Sequence, residues 1–238
     1  MLQASYEEGG ALAALSKDAL TDNLLTFMFG GFDTTSIALT YALYLLAKNP
    51  EQWDRLRQEV DAVVEPGFQL SIKELKDLPY CTKVVKETLR LYPPAPLTAR
   101  TTTSSFDLDG LPVEEDVHVL IPIWWVHRDK DVWPEPERFD PDRFDKEVPA
   151  GAWIPFSDGL WNCVGYRFAM AESTILLAGL VRSLTWRLPD DYILTPSCNY
   201  YYYYCCCCSR CCCRCKGTQR VPHRSFVVLC WLFYSCLL

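Results

Sequence analysis

Three short stretches of this 238-residue chain carry side chains that could do chemistry. The first is Phe156-Ser-Asp-Gly159-Leu-Trp161-Asn-Cys163-Val-Gly165, a glycine-punctuated loop that presents one cysteine and then enters an apolar segment. A cysteine just ahead of a helix lies among unpaired backbone N–H groups, at the positive end of the helix dipole. That setting favours thiolate over thiol. A thiolate held there is a ready ligand for a soft or borderline metal, haem iron included. Gly159 and Gly165 lack a Cβ and would let backbone approach a flat group closely. The competing assignment for an isolated cysteine is a buried small hydrophobe, which is the commoner fate of a structural thiol.

The second stretch is Gly30-Gly31-Phe32-Asp33-Thr34-Thr35. Two glycines inside a helix cost about 1 kcal/mol each relative to alanine. In return they leave a groove where a planar or small molecule can lie against backbone. A carboxylate beside a hydroxyl can relay protons into a site that excludes water. The competing assignment is a kink whose Asp and Thr are satisfied locally. The third stretch is Glu87-Thr-Leu-Arg90, whose charges share a helix face at i and i+3. Taken alone it reads equally as an exposed surface pair worth a few tenths of a kcal/mol, on the order of 0.5 or less. His118 and His127 have no partner at metal-ligand spacing, so each is expected in a satisfied structural role.

The elements that must position these groups are mostly helical. Ser16 is a plausible N-cap with Asp18 in the first turn, and the pattern predicts one helix to Asn49, stopped at Pro50. Its apolar residues surround most of the axis, which predicts central burial. Glu51 to Val64 reads as an amphipathic helix with a solvated charged face. Ser71-Ile-Lys-Glu74 is a capping box opening a short helix that Pro79 is expected to close, and Lys83 to Leu91 reads as another. The run Pro93-Pro94-Ala95-Pro96 then turns the chain into an extended segment. Thr101 to Pro122 reads as short strands, with a hairpin turn in Phe106-Asp-Leu-Asp-Gly110 and a strand at Val117–Ile121. Tyr166 to Leu184 has apolar residues at three- and four-residue spacing and predicts a helix. The fold class is therefore mainly α with a small β part.

Composition adds constraints. Half the residues are hydrophobic, and the net charge is -7. From Asn199 onward there are five basic residues and no acidic one, which leaves 18 basic against 30 acidic before it. An acidic body argues against nucleic-acid binding. Only Cys81 and Cys163 precede residue 198, and the other 11 cysteines lie from Cys198 onward, so the body reads as intracellular and reduced. No basic, apolar leader opens the chain, and no apolar run reaches the roughly 18 residues of a membrane span. The tail holds Tyr200 to Tyr204, Cys205 to Cys208 and Cys211 to Cys215 in near-homopolymeric runs. Tyr and Cys codons differ by one base, so the segment reads as translation of a simple nucleotide repeat and is expected to be unstructured. A zinc-binding or interaction module is the alternative, disfavoured because adjacent cysteines lack C-x-x-C spacing.

These three stretches and a fourth, Pro136–Phe139, resemble the cytochrome P-450 family in their order along the chain. F-x-x-G-x-x-x-C-x-G, followed by Ala169 and Glu172, resembles its haem-binding loop. G-G-x-D-T-T resembles its oxygen-activating helix, and Glu87-x-x-Arg90 before Leu91-Tyr92-Pro93 its E-x-x-R helix. Pro136-Glu137-Arg138-Phe139 resembles the P-E-R-F segment ahead of the cysteine loop, and Asp140-Pro-Asp-Arg-Phe144 continues that pattern. The resemblance implies haem as cofactor, with Cys163 the axial ligand of its iron. Phe156, Gly159, Gly30 and Gly31 would form the cofactor site, and Asp33 and Thr34 the catalytic proton-delivering pair. It also implies a buried charge cluster of Glu87, Arg90 and Arg138. Some family members place a propionate-binding arginine near the position of Arg100.

Trp161 departs from the pattern, standing where the family usually carries an Arg or His that pairs with a haem propionate. The implied reaction is haem-thiolate monooxygenation, an oxidoreductase activity placing one atom of dioxygen into a small apolar substrate, with electrons from an NADPH-dependent reductase. A haem-thiolate isomerase or dehydratase of the same fold is the alternative, against which the Asp33-Thr34 pair argues. The family typically resides on the endoplasmic reticulum membrane. The expected organisation is a lead-in over 1–15, the C-terminal portion of the cytochrome P-450 fold over 16–188, and a low-complexity tail over 189–238. With the family's N-terminal half absent, haem would be covered on one face, and the chain is expected to be a truncated, inactive fragment.

Overall fold

The computed structural model describes residues 16–63, 72–189, 192 and 194. The lead-in 1–15, the capping residue Ser71 and the tail cysteines from Cys198 onward lie outside the described residues. Helix α1 spans Lys17–Lys48. Ser16 caps it, its Oγ accepting from Ala19 N at 3.1 Å, and Asn49 ends it, donating through Nδ2 to Leu45 O at 2.8 Å. The Gly30–Gly31 pair does not break the helix. Helix α2 is Pro50–Val63, and a short 3-10 segment covers Ile72–Asp77.

Helix α3 spans Pro79–Leu91. Here the sequence expectation is corrected. Pro79 opens α3 at its first helical position instead of closing the preceding segment, and the helix starts four residues before Lys83. The first helical N–H is unpaired in any helix, and proline has none to lose. The orphan donors that follow are met from another helix: Glu59 of α2 accepts from Tyr80 N at 2.7 Å and from Cys81 N at 2.8 Å. A carboxylate at that end also meets the positive pole of the helix.

Two small antiparallel sheets follow. Strand β1 (Thr98–Thr101) pairs with β4 (His118–Ile121), Thr98 opposite Ile121. Between them β2 (Phe106–Leu108) and β3 (Leu111–Val113) form the expected hairpin. Its turn residues Asp109 and Gly110 both have positive φ, 51° and 87°, as a two-residue hairpin turn requires. The single turn α4 (Ile123–Val126) leads into an irregular stretch to Ser157, broken by a 3-10 turn at Pro141–Asp145. Helix α5, Tyr166–Ser183, closes the described fold.

Helices α1, α2, α3 and α5 pack on one another around a single apolar cluster. It takes Ala38, Ala42 and Leu46 from α1, Leu56 and Val60 from α2, Val84 and Leu89 from α3, and Leu177, Ala178 and Val181 from α5. The expectation that α1 is centrally buried holds only for its C-terminal half. Its buried residues begin at Thr35, and Leu24, Leu25, Met28, Phe29 and Phe32 are exposed. The other helices pack against the C-terminal half of α1, so the apolar N-terminal half has no described neighbour to cover it.

Candidate active site

Helix α3 sets the frame. Glu87 and Arg90 are both fully buried, one helical turn apart. Arg90 donates Nε to Glu87 Oε2 at 2.7 Å and Nη2 to Oε1 at 2.8 Å, a bidentate pair. Its remaining N–H groups reach backbone: Nη1 donates to His127 O and Pro136 O at 2.8 Å each, and Nη2 to Arg138 O at 3.2 Å. All five guanidinium donors are thus engaged. Burial raises the Glu87 carboxyl above its usual range, while Arg90, the N–H of Asp140 at 2.9 Å and Arg143 pull it back. A buried pair this fully satisfied specifies geometry, because removal of either partner strands a charge.

The third charge of this cluster is not Arg138. The Arg138 side chain is 60% exposed and bonds to Glu135; only its carbonyl faces Arg90. Arg143, 10% exposed, brings Nε to 3.4 Å from Glu87 Oε1, an ion pair without hydrogen-bond geometry. Its Nη1 and Nη2 donate to the carbonyls of Pro134 and Glu135. The chain holds P-x-R-F twice, at Pro136 and at Pro141, five residues apart. Asp140 N bonds to Glu87, and the Pro141–Asp145 turn, with Asp140 as its cap, packs on α3. That fixes the second copy, not the first, beside Glu87.

The cysteine loop lies downstream. Ser157 N donates to Ile154 O at 3.0 Å, closing a turn in which Ser157 takes φ 63°. Asp158 Oδ1 accepts from Gly159 N, and Gly159 has φ 75°, a conformation that favours glycine there. Cys163 N donates to Phe156 O at 2.9 Å, and Cys163 O accepts from Tyr166 N at 3.3 Å, so the cysteine links the loop to the first turn of α5. A Cβ on Gly165 would be 3.9 Å from Cys163 Sγ, which puts the sulfur over the α5 N-cap. Gly165 itself has φ -88°, open to any residue. The Cys163 thiol is exposed, unlike Cys81, whose thiol burial pushes up strongly and which donates to Thr174 O at 3.4 Å. Leu160, Trp161, Val164 and Phe168 are exposed around Cys163.

Three contacts hold the loop and the residues that lead into it. Arg100 on β1 donates Nη2 to Ser157 Oγ at 2.7 Å and to Asp158 O at 3.3 Å. Trp153 donates Nε1 to Lys86 O of α3 at 3.2 Å. His127 accepts from Ile154 N at 2.8 Å. The histidine is buried and structural, as its lack of partners at ligand spacing predicted, and the exposed His118 pairs with Thr101 Oγ1 across the β1–β4 pair. Arg143, Trp153 and the Ile154 bond of His127 had no sequence signal beyond residue type.

The Gly30–Thr35 turn sits on α1, at the border of its exposed and buried halves. A Cβ on Gly30 or Gly31 would meet nothing within 4 Å, so bare backbone there faces open space. Thr34 Oγ1 donates to Gly30 O at 2.7 Å, four residues back, and Asp33 is half-buried beside it. Helices α1 and α5 pack on each other. Among the described residues no hydrogen bond, ion pair or ring contact joins this turn to the Cys163 loop. The structure therefore gathers Phe156, Gly159 and Cys163 in one loop and Gly30, Gly31, Asp33 and Thr34 on one helical turn. No helix is long and apolar enough to cross a membrane among the described residues, and no three His, Cys, Asp or Glu cluster there to hold a metal ion.

These residues fit an iron porphyrin in three respects. The exposed sulfur is a soft donor of the kind haem iron takes. The glycine pair offers backbone without side chains, and the flanking surfaces on both segments are apolar.

Comparison with known proteins agrees. The family model described as cytochrome P-450 matches residues 1–199, a span that extends on both sides of 16–188. The chain is 43% identical over 197 residues to human cytochrome P-450 4F12, covering 80% of this chain and 37% of that protein. It is 38% identical over 181 residues to rat (Rattus norvegicus) cytochrome P-450 4A10, covering 75% and 35%. With cytochrome P-450 3A40 of Oryzias latipes it shares 34% identity over 185 residues, covering 76% and 37%. The chain thus spans little more than a third of the length of the curated relatives it matches.

Proposed function

The chain belongs to the cytochrome P-450 family, and from that premise we propose that it is the thiolate-bearing portion of a haem-thiolate monooxygenase acting on a small apolar substrate. The observation that carries the proposal is the exposed Cys163 sulfur over the α5 N-cap, in a loop bonded by Arg100 and entered from Trp153 and Ile154, which are bonded to Lys86 O and His127. Cys163 would hold the iron. Phe156, Gly159, Gly30 and Gly31 would line the flat group, the glycines by leaving backbone bare. When bound, haem supplies the redox chemistry by which one atom of dioxygen enters an organic substrate and the other leaves as water.

The chain's own residues would hold and move protons. Thr34 Oγ1, tied to Gly30 O, presents its lone pairs in a fixed direction, and Asp33 on the same turn would resupply the proton that Thr34 passes on. Arg100 would bring to the loop the positive charge that Trp161 lacks, and its bonds to Ser157 and Asp158 set its guanidinium there. Electrons would come from an NADPH-dependent reductase.

Haem titration of the purified full chain tests the proposal, read by the absorption spectrum of the reduced carbon monoxide complex. The expected result is a saturable spectrum of a thiolate-ligated haem, lost in Cys163→Ala and kept in Cys81→Ala. Equal spectra from the parent chain and Cys163→Ala would contradict it.

A further inference from the structure

The Glu87–Arg90 pair and the Cys163 loop do not touch, yet one buried side chain bonds to both neighbourhoods. His127 is fully buried. Its Nε2 faces Ile154 N at 2.8 Å, and a backbone N–H can only donate, so Nε2 accepts. A neutral imidazole with an accepting Nε2 carries its single proton on Nδ1. Nδ1 lies 3.2 Å from Arg90 O and donates to it. The backbone carbonyl of His127 in turn accepts from Arg90 Nη1 at 2.8 Å. Its backbone carbonyl and Nδ1 are thus committed to Arg90, and its far ring nitrogen to Ile154, two residues ahead of the loop.

From Ile154 the connection continues through backbone. Ile154 O accepts from Ser157 N, and Phe156, inside that turn, accepts from Cys163 N through its carbonyl. Protonation of the ring would set an Nε2 proton against the Ile154 N–H. Burial, Arg90 from α3 and Arg128 next in the chain all oppose that charge, and they lower the His127 pKa to about 4. Glu87, the carboxylate carried by α3, is already paired with Arg90.

We propose that His127, as the neutral Nδ1–H tautomer, is a positioning residue that transmits the register of the Glu87–Arg90 pair to the Cys163 loop through the Ile154 amide. It rests on the proposed function only in giving that loop its purpose. It assigns His127 no contact with substrate or haem.

Two substitutions separate this role from plain space filling. His127→Asn keeps a donor near the Nδ1 position, toward Arg90 O, and removes the acceptor from Ile154. His127→Gln extends a carbonyl oxygen to about the Nε2 position and restores that acceptor. The readouts, on the full chain, are amide hydrogen exchange at Ile154 and Cys163, resolved by peptide mass spectrometry. Loss of one buried acceptor is expected to raise exchange at both amides about tenfold in His127→Asn. Protection of the α3 amides should stay as in the parent chain, and His127→Gln should return both readouts to within about twofold of it. The proposal is overturned if His127→Asn leaves Ile154 and Cys163 as protected as in the parent chain. It is equally overturned if both variants lose protection together throughout α3. A parent chain that binds no haem while the Asn/Gln contrast holds would defeat the proposed function and leave the His127 assignment standing.

Discussion

The two halves of the candidate site are held in different ways. The Cys163 loop and the residues that lead into it are fastened by Arg100, Trp153 and His127, on a layer whose buried ion pair has every guanidinium proton engaged. Among the described residues the Gly30–Thr35 turn makes its hydrogen bonds within its own helix, as Thr34 does to Gly30 O, and the apolar face leading to it from Leu24 to Phe32 is open. One half has its geometry written into polar contacts. The other has a helix and exposed hydrophobic surface, whose position depends on the packing of α1 further along. Perturbing the first should therefore change both stability and loop geometry, and perturbing the second should change ligand binding and leave stability alone.

The sharpest break in that comparison comes at the buried pair. Glu87→Ala or Arg90→Ala strands a buried charge and is expected to cost about 3–5 kcal/mol, read as a drop in the urea midpoint or as failure to fold. Arg138→Ala should change stability by less than about 0.5 kcal/mol, because its side chain is a surface group. An Arg138→Ala loss that matches Arg90→Ala would reverse the assignment of Arg143 as the third charge.

Acid should act next. The imidazole of His127 titrates near its ordinary value of 6.5 when unfolded and at about 4 when folded. The unfolded chain therefore binds the extra proton first. The neutral-histidine contribution is complete above about pH 6.5 and is lost as pH falls from there toward 4. Its full size is about 3 kcal/mol, from the separation of the two values. Stability curves of the parent chain and His127→Gln should converge over that interval, and parallel curves would show that the ring contributes nothing there.

Much of this frame was legible in the sequence. Ser16 marked the start of α1 and Pro50 its end, Asp109-Gly110 marked the hairpin, and the ordered motifs marked the family. Pro79 misled because proline both ends and begins helices, and its role turned on Glu59, 20 residues upstream in the chain, accepting the following N–H groups. Arg138 misled because P-x-R-F occurs twice, and only tertiary contact with Glu87 chooses between the copies. The apolar residues of α1 implied burial, but periodicity reports which face prefers cover, not whether a neighbour supplies it. How the Cys163 loop is anchored was not legible, since Arg100, Trp153 and His127 act through backbone atoms of distant residues.

Smaller effects sharpen the contrast. Trp153→Phe removes one hydrogen bond to Lys86 O and is expected to cost about 1 kcal/mol by urea denaturation, with faster exchange at Ile154. Phe32→Ser, at a residue 81% exposed, should shift the midpoint by less than about 0.5 kcal/mol while weakening haem uptake. A large stability loss there would mean that the open face of α1 is covered in solution.

The most direct test of the central assignment is the alkylation of Cys163 with and without haem, followed peptide by peptide in the full chain. The sulfur is exposed, so it should label readily in the apo chain and become protected as haem saturates, while buried Cys81 resists in both states. Labelling of Cys163 at the same rate with haem bound would show that the iron takes another ligand.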